Sequence, residues 1–200
     1  MNLKYKIETL SIEDYLEGEL YSELRHEYID GQVYAMAGAS TNHNRIIANF
    51  SREFGNHLRH SSCEPFFSDM KVRVDDHFYY PDVLVVCHHE GNDYGVTDSP
   101  LIIVEVLSKA TRKIDHTLKR KAYQQLSSLQ EYVLIEQDLV EVEVCRRSNH
   151  WQSEYYFLGD TVDFQSIDLQ IPVTAIYERV NNEDILKYTQ EQANENLNAS

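Results

Sequence analysis

The chain is organised around two apolar runs of strand length, residues 79–86 and 101–108, each of which carries one acid. The first reads Tyr-Tyr-Pro-Asp-Val-Leu-Val-Val, with Asp82 near the start of its strand. The second reads Leu-Ile-Ile-Val-Glu-Val-Leu-Ser, with Glu105 near the end. A carboxylate inside an otherwise apolar strand conflicts with its surroundings, and such conflicts concentrate at functional sites. If the two strands pair antiparallel, the start of one adjoins the end of the other, and Asp82 and Glu105 stand side by side. Like charges at that distance repel unless a cation lies between them. Hard oxygen donors favour Mg²⁺ or Mn²⁺, either of which can polarise a phosphodiester and activate water. The competing assignment makes Asp82 a turn residue after Pro81 and pairs Glu105 with a buried arginine.

A helix expected from Asp115, as its cap, to about Leu126 supplies the next constraint. Leu118, Ala122, Tyr123 and Leu126 form its apolar stripe. At 100° per residue Lys119 falls near the centre of that stripe, with Arg120 and Lys121 well off it. An inward lysine needs a partner, because burying an unpaired ammonium is costly. The two carboxylates or a substrate phosphate would serve. Otherwise Lys119 snorkels along the core edge.

Around this centre, the spacing predicts a helix after Ser11 with Ile12, Tyr15, Leu16, Leu20 and Leu24 on one face. It predicts a hairpin at Asp30-Gly31 and a helix carrying Ile46, Ile47, Phe50, Phe54 and Leu58. Met70, Val72 and Val74 alternate with Lys71, Arg73 and Asp75, a half-buried strand. Residues 88–100 read as a loop. Strands follow near residues 132–135, 140–144 and 151–157, and a short helix covers 173–180. Residues 1–180 are expected to form one domain, and residues 181–200 a partly helical or frayed tail.

The net charge of -15 argues against a broad phosphate-gripping surface. It leaves room for a few basic residues at one cleft, drawn from Lys71, Arg73, Arg112, Lys113, Lys119, Arg120 and Lys121. Cys63, Cys87 and Cys145 fit no metal spacing and read as small buried hydrophobes in a reducing compartment. No run approaches the roughly 20 apolar residues of a membrane span, and residues 1–8 show no signal-like apolar region. A cytoplasmic location without membrane contact is expected.

Pro81-Asp82 followed by Glu105-Val106-Leu107 resembles the PD-(D/E)XK signature of restriction-endonuclease-like nucleases, with Leu107 where a lysine is usual. In that superfamily the lysine can migrate to a neighbouring helix, where Lys119 would fill the role. The ordered set is wider. It includes residues 26–31 (His-Glu-Tyr-Ile-Asp-Gly), Met36-Ala37 with His43, Ser68-Asp69, Tyr80-Pro81-Asp82-Val83, residues 104–108, Asp115 with Lys119 and Tyr123, and residues 131–134. It is similar to the Uma-type restriction-endonuclease family. The resemblance implies an α/β (α+β) fold with a restriction-endonuclease-like mixed β-sheet flanked by helices. It implies a Mg²⁺- or Mn²⁺-dependent DNA endonuclease with Asp82 and Glu105 on the metal, Lys119 as the catalytic cation and Glu27 as a further acid. Superfamily members that cut both strands often work as dimers, so a homodimer is expected. His43 either meets a phosphate, moves a proton or caps its helix; Arg112 is a candidate substrate contact. The rival from another class is a non-catalytic nuclease-fold module for interaction or assembly.

Overall fold

The computed structural model describes residues 9–36, 38–91 and 94–198; Ala37, part of the family-like set, and residues 92–93 of the 88–100 loop lie outside them. Helix α1 (Ile12–Tyr21) begins where the Ser11 hydroxyl accepts the Asp14 N–H, the cap expected there. It docks through Tyr15, stacked on Tyr28 and tilted against Phe78. That rotation buries Glu19 and turns Leu20 to solvent, while Leu24 lies beyond the helix end and is also exposed. Strands β1 (His26–Ile29) and β2 (Gln32–Ala35) form the expected hairpin. Both its turn residues have positive φ, +52° at Asp30 and +78° at Gly31, as a tight two-residue connection requires. A Cβ at Gly31 would also stand 2.7 Å from the Thr9 Cβ. Helix α2 (Thr41–His57), capped by Ser40, buries Ile46, Phe50 and Phe54 at successive turns.

Then come β3 (Cys63–Phe67), β4 (Lys71–Val74), β5 (His77–Tyr79), β6 (Val83–Cys87), β7 (Val96–Thr97) and β8 (Pro100–Leu107). Helices α3 (Arg112–Ile114) and α4 (Arg120–Tyr123) flank a π-helical turn, Asp115–Lys119. Strands β9 (Glu131–Glu136), β10 (Val142–Arg146), β11 (Ser153–Tyr156), β12 (Thr161–Phe164) and β13 (Leu169–Pro172) precede α5 (Val173–Ile176) and α6 (Glu183–Asn198). The expected α+β architecture is present, built on two larger sheets. One has the order β11-β10-β9-β8-β6-β3, parallel only at β8–β9; the other is β2-β1-β5-β4-β7; β12 and β13 pair by themselves.

Strand β8 lies inside the six-stranded sheet with cover on both faces, which is why its sequence is an almost unbroken apolar run. Ile102, Val104 and Val106 join the core beneath Phe50 and Phe54. Ile103 and Leu107 face the opposite way, into a core with Tyr79, Ala122 and Tyr123. Glu105 lies between Ile103 and Leu107 on that second face, since side chains alternate along a strand.

Several expectations are corrected. Residues 79–86 are not one strand. The chain leaves the five-stranded sheet after Tyr79, crosses through Tyr80-Pro81-Asp82 and enters the six-stranded sheet at Val83. Asp115 does not cap a helix; Thr111 precedes α3, and Asp115 is a buried residue of the π turn. The helix phase that buries Asp115, Lys119, Ala122 and Tyr123 leaves Leu118 exposed at its edge. Lys71 is buried rather than on a solvent face, donating to the Tyr94 carbonyl at 2.6 Å above the Tyr80 ring. Cys63 and Cys87 face one another across β3 and β6 and are joined as a disulfide, so only Cys145 is the buried free thiol expected. Spacing could not disclose that pairing, because β3 has no period of its own.

Candidate active site

The site lies on the second face of β8, where three lines of chain converge. The register that pairs Val83 with Val104 sets Asp82 opposite Glu105. The Asp82 Oδ2 accepts the Val106 N–H at 2.7 Å, which locks the crossing segment onto β8 one residue past Glu105. The π turn and α4 pack over this face. A π turn adds one residue to a helical turn, a distortion frequent at functional sites. From it, Lys119 points at the acids.

Lys119 is 5% exposed and contacts three carboxylates. Its Nζ lies 2.7 Å from Glu27, 3.2 Å from Glu105 and 3.5 Å from Asp115. Glu27 arrives from β1, and its Oε1 also accepts the Tyr80 N–H at 3.2 Å. His43, in the first turn of α2, brings Nε2 to 3.2 Å from Asp82, while its Nδ1 is buried without a partner. Asp82, Glu105, Lys119, Glu27 and His43 are thus brought together. Arg112 is not among them: its guanidinium forks onto both oxygens of Glu136 at the end of β9.

Three members of this neighbourhood were not assigned to the site from the sequence. Asp115 and Tyr123 lie four residues either side of Lys119 on one helical face, a spacing that could have revealed them. The Tyr123 hydroxyl donates to Glu105 Oε1 at 3.1 Å. Glu19, on the buried face of α1, accepts the His26 N–H at 2.8 Å and the Tyr80 hydroxyl at 3.1 Å. It ties the segment before Glu27 to the segment before Asp82. Its only signal was its place one turn beyond Tyr15.

The electrostatics are lopsided, with four carboxylates against one ammonium. Burial pushes the Glu105 carboxyl well above the usual carboxylate range, although Lys119 opposes the shift. Burial works against charge on Lys119, but Glu105, Glu27 and Asp115 outweigh it and hold its pKa well above the ordinary value. Burial also raises Asp115, against the pull of Lys119.

For an acid raised in the fold, ionisation opposes folding. That cost is absent below the unfolded pKa and grows as pH rises through the folded one. The Asp115→Asn protein should therefore melt above the parent at pH 7 without metal, and the difference should vanish below about pH 3.8. Metal-free thermal melts across pH test this. A lower melting temperature at pH 7 would mean that the pairing with Lys119 outweighs the burial of Asp115.

Among the described residues, no three of His, Cys, Asp and Glu are gathered as a metal cage. The donors fit a cation that needs none. Mg²⁺ is commonly held by one or two carboxylates while water and substrate phosphate complete its shell. Asp82 and Glu105, opposite each other beside surplus negative charge, suit such an ion and not a structural zinc.

Residues 12–174 match the Uma2 family, described as "Putative restriction endonuclease". The uncharacterized protein slr1290 of Synechocystis sp. is 35% identical over 173 residues, which cover 84% of this chain and 91% of the relative. The uncharacterized Synechocystis protein sll1609 is 33% identical over 148 residues, covering 72% and 80%. The crystal structure of "a putative nuclease belonging to DUF820" from Anabaena variabilis superposes with a TM-score of 0.73 at 17% identity, covering 86% of this chain and 99% of that one. At that identity the likeness shows a shared fold. The family match spans most of the chain and both relatives align along most of their length, so this chain belongs to the Uma2 family of putative restriction endonucleases.

Proposed function

We propose that the protein is a Mg²⁺- or Mn²⁺-dependent endonuclease that hydrolyses DNA phosphodiester bonds. The observation that carries the reading is the contact of Lys119 Nζ with Glu105 and Glu27, beside Asp82. It supplies from the helix the cation that Leu107 cannot. Asp82 and Glu105 would hold the metal, which would supply polarisation of the phosphate and a more acidic water. Lys119 orients the attacking water and offsets charge developing on the phosphate oxygens. Water adds across a P–O bond, so one end takes the phosphate and the other a hydroxyl. Glu27 holds Lys119 in place, and His43, on Asp82, is positioned to meet a phosphate or pass a proton.

The DNA footprint is small in this reading. Of seven basic residues near the site in sequence, Lys71 is buried, Lys119 is enclosed by acids, and Arg73, Arg112 and Arg120 pair with Asp76, Glu136 and Glu143. Lys113 and Lys121 remain exposed and form no ion pair among the described residues. A second copy of the chain, each cutting one strand, would enlarge the footprint. No helix among the described residues is long and apolar enough to cross a membrane; a cytoplasmic location agrees with a DNA substrate but would require the Cys63–Cys87 disulfide to persist in a reducing compartment.

The test is plasmid nicking in Mn²⁺ against EDTA, paired with melting. Mn²⁺ should raise the melting temperature of the parent by relieving repulsion between acids, and the rise should vanish in Glu105→Gln. Asp82→Asn should weaken Mn²⁺ affinity in calorimetric titration. Equal affinity in parent and variant would remove Asp82 from the metal.

A non-catalytic module is the second reading. It is favoured by how closed the site is. Asp82, Glu105, Asp115 and Lys119 are all buried, at 9%, 3%, 1% and 5% exposure. No Mn²⁺ response and no nicking would select it.

A further inference from the structure

One row of side chains crosses the five-stranded sheet on the face that looks into the site. Thr97 pairs with Val72, and Val72 with Tyr79. The register that pairs Tyr28 with Phe78 sets Tyr79 beside Glu27, and Glu27 pairs with Tyr34 on β2. Residues opposite one another on paired strands share a face. From Val72 outward exposure climbs: Val72 and Tyr79 are fully buried, the Glu27 side chain is 13% exposed, and Tyr34 is 49% exposed. Tyr79 packs edge-on against Tyr123, under the π turn. The row therefore runs from beneath the site to its rim, and Tyr34 is the rim.

Strand β2 is the outermost strand of this sheet, so among the described residues no further strand flanks Tyr34 on that side. Its hydroxyl donates to Gln32 Oε1 at 3.0 Å, a local tether that steadies the ring. Directly opposite residues have Cβ atoms about 5 Å apart. An exposed aromatic ring thus stands next to the acid that holds Lys119.

We propose that Tyr34 is a nucleobase-stacking residue, which takes a base of an unstacked DNA strand next to the phosphate being cut. This rests on the endonuclease reading above and names how the substrate is gripped. Stacking on an aromatic face is sequence-tolerant, because every base has a π-face, and its own contribution does not draw on positive charge. That suits a protein with a net charge of -15 whose cations near the site are mostly spent on its own acids. A strand placed this way lays its backbone across Glu27 toward Lys119 and Asp82, while the base rests outside the cluster.

The experiment compares the parent protein with Tyr34→Ala, Tyr34→Phe and Tyr34→Trp. Affinity for a fluorescein-labelled single-stranded oligonucleotide is read by anisotropy, and KM and kcat by cleavage in Mn²⁺. Tyr34→Ala should lose roughly 10-fold in affinity, with a matching rise in KM rather than a fall in kcat. Phe and Trp should restore binding, and an abasic position in the oligonucleotide should reproduce the loss in the parent but add nothing in Tyr34→Ala. The Mn²⁺-induced rise in melting temperature should survive all three substitutions.

Parent-like affinity in Tyr34→Ala would overturn the proposal, as would loss in Tyr34→Phe equal to that in Tyr34→Ala. A change of oligomeric state in Tyr34→Ala would overturn it too, and would assign this rim to a second copy of the chain. Tyr34-dependent binding by a parent that never cuts would sink the endonuclease reading and leave the stacking residue standing. A parent that neither binds nor cuts would remove both.

Discussion

Lys119→Ala is expected to lose Mn²⁺-dependent nicking by roughly 10²- to 10³-fold, the usual cost of removing a preorganised charge that acts on the transition state. Lys121→Ala, two residues away and exposed on another face of the helix, should stay within a few-fold of the parent. The structure adds a consequence. Without the ammonium, Glu27, Glu105 and Asp115 face each other with no counter-charge, so the alanine variant should also melt lower than the parent in EDTA. Mn²⁺ should return part of that loss, because the cation takes over some of the compensation. Activity must therefore be compared at a temperature where circular dichroism shows both proteins folded. An active Lys119→Ala protein beside an inactive Lys121→Ala protein would end the assignment of the migrated lysine.

The second large effect lies away from the site. Arg146, at the end of β10, is 2% exposed. It contacts Glu131 at 3.3 Å, pairs with Glu154, and donates to the Asp163 carbonyl at 2.6 Å and the Tyr156 hydroxyl at 3.2 Å. One guanidinium thereby links β9, β10, β11 and β12. Glu131, 1% exposed, also accepts the Gln165 and Ser166 N–H groups, which anchors the start of the β12–β13 hairpin connection. Arg146→Ala should destabilise the protein by about 3–5 kcal/mol, because it strands a buried carboxylate. For a chain of this size that is on the order of 10 °C in melting temperature. Replacing both partners, Arg146→Met with Glu131→Leu, should recover much of the loss, since a well-packed apolar pair often matches a buried ion pair. A loss below about 1 kcal/mol in Arg146→Ala would show that water reaches Glu131 once the guanidinium is gone.

Much of the site was readable because it rests on short-range rules. The hairpin at Asp30-Gly31 follows from local backbone preference, and the stripe of α2 follows from helical period. The inward phase of Lys119 follows from Ala122 and Tyr123 in the same way, although Leu118, counted on that stripe, turned out to lie at its exposed edge. The antiparallel pairing of β6 with β8 was conditional in the sequence, and the register Val83↔Val104 makes it definite. The buried arginine offered as a partner for Glu105 exists, but it is Arg146 and it pairs with Glu131.

By itself the sequence determined which residues conflict with their own segments: an acid in each of two apolar runs, and a lysine on an apolar helical face. Those conflicts are properties of period and composition, and they pointed to Asp82, Glu105 and Lys119 before any fold was known. Only the tertiary structure decided what each conflict is set against. Asp115 comes in from the π turn, Glu27 from a different sheet, His43 from α2, and Glu19 from the buried face of α1. The same holds for the break at Tyr80-Pro81-Asp82, which moves the chain from one sheet to the other, and for the pairing of Cys63 with Cys87. The physical reason is range. Propensity and amphipathic period act over a few residues, whereas burial, ion pairing and strand register depend on partners tens of residues away, and those exist only once the sheets have closed over one another.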